Sequence, residues 1–174
     1  SLSNSSTQPL GLQTTYYQNE AGYLEYPELY NAYWDRHADG YIENISFLQR
    51  KNVSEMVGDD GIVATPRDAV RFLKGLFEYR LLKQETLQLM QEWASYANGG
   101  LAYGLGLDYA KFAGKIAYGH SGGGIGAGCQ LYYFPEDDIY WFVGINLGTV
   151  TESPIHDRVA PKLEQLHQAI LSNH

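Results

Sequence analysis

Eleven of the 19 glycines in this 174-residue chain fall between Gly99 and Gly128, and the residues among them shift toward Tyr, Ile, Leu and Phe. Glycine at that density disfavours helix, whereas aromatic and β-branched residues suit a pleated surface, so the stretch predicts sheet. Strands are expected at residues 103–109, 115–120, 127–134 and 139–146, with Pro135-Glu136-Asp137-Asp138 as a hairpin turn between the last two. Strands joined by such short links form an antiparallel meander.

Helical signals flank the meander. In Thr65-Pro66-Arg67-Asp68, Thr65 can cap, Pro66 suits the first helical position and Asp68 stands where a capping acid reaches back. Ala69, Phe72, Leu73, Leu76 and Phe77 then recur at steps of three and four, which predicts a buried stripe running to about residue 79. A second helix is expected over residues 84–95, with Leu87, Met90 and Trp93 on its apolar side. Ser153-Pro154 opens a third, whose stripe is Val159, Leu163, Leu166, Ile170 and Leu171; Pro161 should kink it or begin its main part. Residues 9–57 lack sustained periodicity; a short helical turn is expected at 31–37 and an extended piece at 41–47, after a polar lead-in at 1–8. The fold class is therefore α/β of the α+β kind, an antiparallel sheet meander with flanking helices.

Composition removes several functions. Twenty acidic residues against 12 basic ones give a formal charge of -8, and the cations are scattered, so no nucleic-acid footprint exists. No apolar run approaches the roughly 18 residues that a membrane-crossing helix needs. A lone Cys129 excludes an intrachain disulfide and any zinc site of paired thiolates, and its small neighbours suit a buried small hydrophobe. His156, His167 and His174 lack metal-ligand spacing, so no metal is expected. Neither a dinucleotide fingerprint nor a phosphate loop occurs among the glycines. The sequons at Asn4, Asn44 and Asn52 matter only in a glycosylating compartment. The tyrosines of residues 16–41 fit a rim or core as readily as a ligand-binding face. The chain opens at Ser1 with no leader pattern and no methionine, so residue 1 is not expected to be the native start.

Chemistry concentrates at Tyr118-Gly119-His120-Ser121-Gly122-Gly123-Gly124-Ile125-Gly126. An imidazole and a hydroxyl stand there on bare backbone, where a ligand can approach closely and N–H groups can face a developing oxyanion. A glycine-rich strand junction would look the same, with His120 structural and Ser121 a turn residue. Gly119-His120-Ser121-Gly122-Gly123 also spells the nucleophile elbow of alpha/beta hydrolases, which would make Ser121 the nucleophile. That elbow needs a helix directly after the serine, and a strand-like Gln130-Leu131-Tyr132-Tyr133 follows the glycines instead.

Four segments together resemble the C-terminal half of the serine beta-lactamase and penicillin-binding-protein-like family, in its class C, D-aminopeptidase and esterase branch. They are Pro9-Leu10-Gly11-Leu12 with Thr14, Asp60-Gly61-Ile62-Val63-Ala64-Thr65-Pro66-Arg67-Asp68, Tyr103-Gly104-Leu105-Gly106-Leu107, and Gly119-His120-Ser121-Gly122-Gly123 with Tyr133-Phe134-Pro135-Glu136. Their order and approximate spacing match over residues 9–149. The resemblance implies a partial beta-lactamase/transpeptidase-like fold, a single incomplete domain with part of the helical region at residues 1–98 and strands plus a C-terminal helix at 99–174. Such enzymes attack an acyl carbon with the serine of Ser-x-x-Lys and move protons with Tyr-x-Asn. No Ser-x-x-Lys occurs here; Tyr17-Gln18-Asn19 and Tyr96-Ala97-Asn98 follow the Pro-Leu-Gly segment, whereas the family's tyrosine precedes it.

Carried over residue by residue, the third motif gives His120 the position of the family's lysine, as the catalytic residue that orients groups or relays protons. Ser121 would bond a substrate carboxylate or carbonyl, Gly122 would leave clearance, and the Gly123 N–H would be one of two oxyanion donors. Asn146 resembles a position that helps hold substrate carboxylates, and also reads as a strand-end turn residue. The family implies a small acyl substrate, no cofactor and a periplasmic or extracellular location. It further implies that the strand Ile139–Ile145 pairs with an upstream strand, so in this chain that edge should self-associate. The reading is a hydrolase fragment for ester, beta-lactam or D-amino-acid peptide acyl transfer, inactive alone; the alternative is a non-catalytic binding or scaffold domain on the same fold.

Overall fold

The computed structural model describes residues 7–17, 29–55 and 61–172. In chain order the first elements are α1 (Thr7–Leu10), β1 (Thr15–Tyr17), β2 (Tyr33–Trp34), β3 (Glu43–Asn44), α2 (Ser46–Glu55), β4 (Ile62–Ala64), α3 (Pro66–Phe77) and α4 (Gln84–Met90). Then follow β5 (Ala94–Ser95), β6 (Leu101–Tyr103), β7 (Asp108–Phe112), β8 (Lys115–Gly123), β9 (Gly128–Phe134), β10 (Ile139–Ile145) and α5 (Pro154–Leu171).

Strands β5 to β10 form one antiparallel sheet in the order β10-β9-β8-β7-β6-β5. Alternation along β9 divides its side chains between two cores. Tyr132 and Phe134 join Ala117, Trp141 and Leu171 on the α5 side. Leu131 and Tyr133 join Leu73, Leu76, Leu87 and Leu107 on the α3 and α4 side. The sheet is thus the middle layer, and Tyr118 of β8 is fixed to the helical layer by the rings of Trp93 at 5.1 Å and Phe77 at 6.3 Å.

Helix α3 begins where the capping signal put it: the Thr65 side chain accepts from the Asp68 N–H, and Pro66 takes the first turn. Asp68 is buried, and its carboxylate accepts from the Thr14 N–H at 2.7 Å, the Thr14 hydroxyl at 3.0 Å and the Thr15 hydroxyl at 3.2 Å. Burial alone would raise its pKa, but these donors and Arg71 hold it below the usual 3.8. Two segments 54 residues apart are thereby joined.

Other expectations need correction. The strand expected at 103–109 is a hairpin, β6 and β7 paired through Tyr103 and Asp108 around the turn at 104–107. The Gly104 N–H donates to the Leu107 carbonyl at 2.8 Å, and Gly106 has a φ of 75°. The second helix stops at Met90 because its next residues bend into β5. Residues 31–37 hold β2 rather than a helical turn, and the segment after β3 becomes α2, which periodicity did not show. Helix α1 starts at Thr7, inside the stretch read as lead-in. Phe72 is 39% exposed and Leu166 is 45% exposed, whereas His167, off the expected stripe, is buried. α5 runs through Pro161 without ending there.

Candidate active site

Strand β8 outruns its neighbour: β7 pairs with it only as far as Asp108 opposite Gly119, while β9 accompanies it to Gly123. Residues 120–123 therefore have a partner on one edge and none of the described strands on the other. N–H direction alternates along a strand. The Ser121 N–H points away from β9 and reaches the Asp108 carboxylate at 3.3 Å, so the Gly123 N–H points to the same open side. At the tip, the Gly124 N–H donates to the Ala127 carbonyl at 2.9 Å and closes the hairpin.

His120 is exposed, with Nε2 3.0 Å from the Tyr103 hydroxyl and Nδ1 2.5 Å from the Ser121 carbonyl oxygen. Ser121 alternates to the opposite face with Ala117, beside Tyr132. Tyr132 donates its phenol to Asp108 at 2.9 Å. Burial, then that carboxylate, raise the Tyr132 pKa well above 10, so the phenol remains a donor. Asp108 thus accepts from both the Ser121 backbone and Tyr132 and ties three strands together at the motif.

A groove of about 1270 Å³ opens beside the glycines. Its lining includes Gly122, Gly123, Cys129, Phe142, Asn146 and Thr65, so parts of the chain from β4 to the end of β10 meet there. His120 and Ser121 precede the lining residues along β8. Asn146 turns its side-chain N–H to the Asn31 carbonyl at 3.0 Å, and the Tyr33 N–H donates to the Asn146 carbonyl at 2.9 Å. A Cβ at Gly123 would collide with the Thr149 hydroxyl, so any side chain there would require Thr149 to move. Cys129 is exposed, not the buried hydrophobe expected from its neighbours.

The nucleophile-elbow context is absent. Ser121 lies inside β8, and a hairpin and β9 follow it rather than a helix. Among the described residues no group of three or more His, Cys, Asp or Glu could hold a metal ion, and no helix is long and apolar enough to cross a membrane. Sequence reading missed Tyr103 and Asp108 as neighbours of the motif; the signal was the pair Gly104 and Gly106, four and two residues before Asp108, which marks a turn and therefore brings the flanking residues together.

The beta-lactamase family model matches residues 2–163. The chain belongs to the beta-lactamase family. No curated protein matches its sequence. Among solved structures, this beta-lactamase-family chain is similar to a D-amino acid amidase from Ochrobactrum anthropi SV3, with 22% identity, a TM-score of 0.75, and coverage of 99% of this chain and 51% of that one. A D-stereospecific amidohydrolase from Streptomyces sp. shares 21% identity at a TM-score of 0.70, covering 84% and 43%. The octameric penicillin-binding protein homologue from Pyrococcus abyssi shares 21% at 0.67, covering 93% and 36%. The fold is therefore the beta-lactamase/transpeptidase-like one, of a serine hydrolase family, and the chain spans about half or less of the length of these structures.

Proposed function

We propose that this chain supplies one wall of a serine acyl-transfer site in a longer hydrolase, with the attacking serine on polypeptide outside residues 1–174. The observation that carries the reading is the open side of β8, where the Gly123 N–H faces none of the described strands beside a large groove. At about 1270 Å³ the groove exceeds the roughly 300–1,000 Å³ of ordinary small-ligand pockets, which suits a seat for both polypeptide and substrate.

In this reading the serine oxygen attacks the carbonyl carbon, the Gly123 N–H donates to the oxyanion, and the bond to the leaving amine or alcohol breaks as that group gains a proton. Water then releases the acyl group and restores the serine. His120 holds the position that orients and relays protons, Ser121 and Asn146 address the substrate's carboxylate or carbonyl, and Gly122 leaves clearance. Two relatives in fold act on D-configured amides by name, which favours D-amino-acid amides or peptides over esters and beta-lactams as substrate.

The test compares the longer protein with residues 1–174 on D- and L-phenylalanine amide, nitrophenyl acetate and a chromogenic cephalosporin. The longer protein should hydrolyse the D-amide and the fragment nothing. Turnover by the fragment that Ser121→Ala abolishes would overturn this reading in favour of Ser121 as nucleophile. An inert longer protein would favour the binding-domain reading, which the exposed rings of Tyr30, Tyr41 and Phe47 also suit.

A further inference from the structure

We infer that Tyr103 is the positioning residue of His120, fixing its tautomer and ring plane from the β6–β7 hairpin. The inference rests on the site proposed above but begins from hydrogen-bond chemistry alone. A backbone carbonyl can only accept, so the 2.5 Å contact between His120 Nδ1 and the Ser121 oxygen puts the proton on Nδ1. In the neutral ring Nε2 is then an acceptor, and the Tyr103 hydroxyl at 3.0 Å donates to it. When Nε2 gains a proton the direction reverses, because a phenol oxygen also accepts. The ring therefore keeps both partners through a protonation cycle, with no rotation.

The hairpin that carries Tyr103 is itself held. Tyr103 pairs with Asp108 across the turn, and Asp108 accepts from the Ser121 N–H, so one hairpin grips the motif through a side chain on each arm. The Leu105 N–H donates to the Met90 carbonyl at 3.0 Å, which anchors the turn to the end of α4. Tyr103 and His120 also meet edge to face at 5.7 Å, a geometry that restrains the imidazole plane. An exposed histidine without such partners would sample several rotamers and both tautomers.

The first measurement is ¹⁵N–¹H correlation of the His120 ring in residues 1–174, for the parent sequence and Tyr103→Phe. The parent should show a protonated Nδ1 and a hydrogen-bonded, unprotonated Nε2 in the neutral ring. Tyr103→Phe should move Nε2 toward a free lone pair and admit the other tautomer, while backbone shifts of β8 stay in place. The second measurement is steady-state kinetics of the longer protein, where Tyr103→Phe should lower kcat by roughly tenfold, the worth of one hydrogen bond, with KM nearly unchanged. His120 resonances indifferent to Tyr103→Phe, or an unchanged kcat, would overturn the inference. If the wild-type longer protein hydrolyses nothing, the functional reading fails while the ring resonances still decide the pairing.

Discussion

His167 lies against the ring of Trp141 at 4.7 Å and edge-on to Phe112 at 5.1 Å, with neither ring nitrogen hydrogen-bonded among the described residues. Burial in this apolar box disfavours the charged form and lowers its pKa below 6.5, against a weaker opposing pull from Glu164, whose carboxylate is 4.0 Å away. The unfolded chain takes up the proton near pH 6.5 and the folded one only at lower pH. The stability from the neutral ring is therefore complete above 6.5 and is lost as pH falls from there toward the lowered value. His167→Phe should keep the packing and flatten the pH dependence of the urea midpoint in that window; an unchanged slope would show that the ring titrates alike in both states. Asp35 and Asp68, both held below 3.8, act only in more acidic solution. Residue by residue, the periodic pattern identified which sides of α3 and α5 turn inward but not their limits. Leu166 and His167 are adjacent, and the rings of Phe112 on β7 and Trp141 on β10, which no local window contains, decide between them.

Capping chemistry made helix starts legible, since the donors and acceptors of Thr65 with Asp68 and of Ser153 with Ile155 lie within three residues. Hairpins were legible where a polar turn separates long strands, as between β9 and β10. The β6–β7 hairpin was hidden because Leu105 and Leu107 are apolar and continue the strand-like composition through the turn. Its glycines carry the information instead. A Cβ at Gly104 would run into the Met90 carbonyl that also receives the Leu105 N–H. Gly104→Ala must therefore push the hairpin off α4 and should destabilise the fold by about 1–3 kcal/mol, as overpacking does. It should also free His120 from Tyr103. Denaturant unfolding of the two proteins reads the first effect, and the His120 ring spectrum reads the second; equal midpoints would mean that the hairpin is not anchored at Met90. The same logic explains why the glycine-rich string around His120 stood out but its supports did not: a contiguous string is visible in sequence, whereas Tyr103 and Asp108 join it only through register.

At the scale of the molecule, the sheet has one short edge and one long one. The β5 side ends in a two-residue strand, which offers little to pair with. On the other side β10 presents seven residues, Ile139–Ile145, paired only with β9 among the described residues and packed on the α3 face through Tyr140 and on the α5 face through Trp141. Beyond its end the role of neighbour passes to β2, with Tyr33 bridged in parallel to Leu147, so the open stretch is bounded and strand-sized. Exposed main-chain N–H and C=O groups on a long apolar edge favour pairing with another strand. In isolation the available strand is β10 of a second copy, and residues 1–174 should dimerise reversibly, as sedimentation velocity across a concentration series will show. Val143→Lys, which puts a charge on the edge strand, should shift the equilibrium toward monomer. A longer protein of the kind proposed above should lose this association if its additional residues occupy the edge. A fragment that sediments as a monomer at every concentration would mean that β10 is already protected, and self-association through this strand would have to be abandoned.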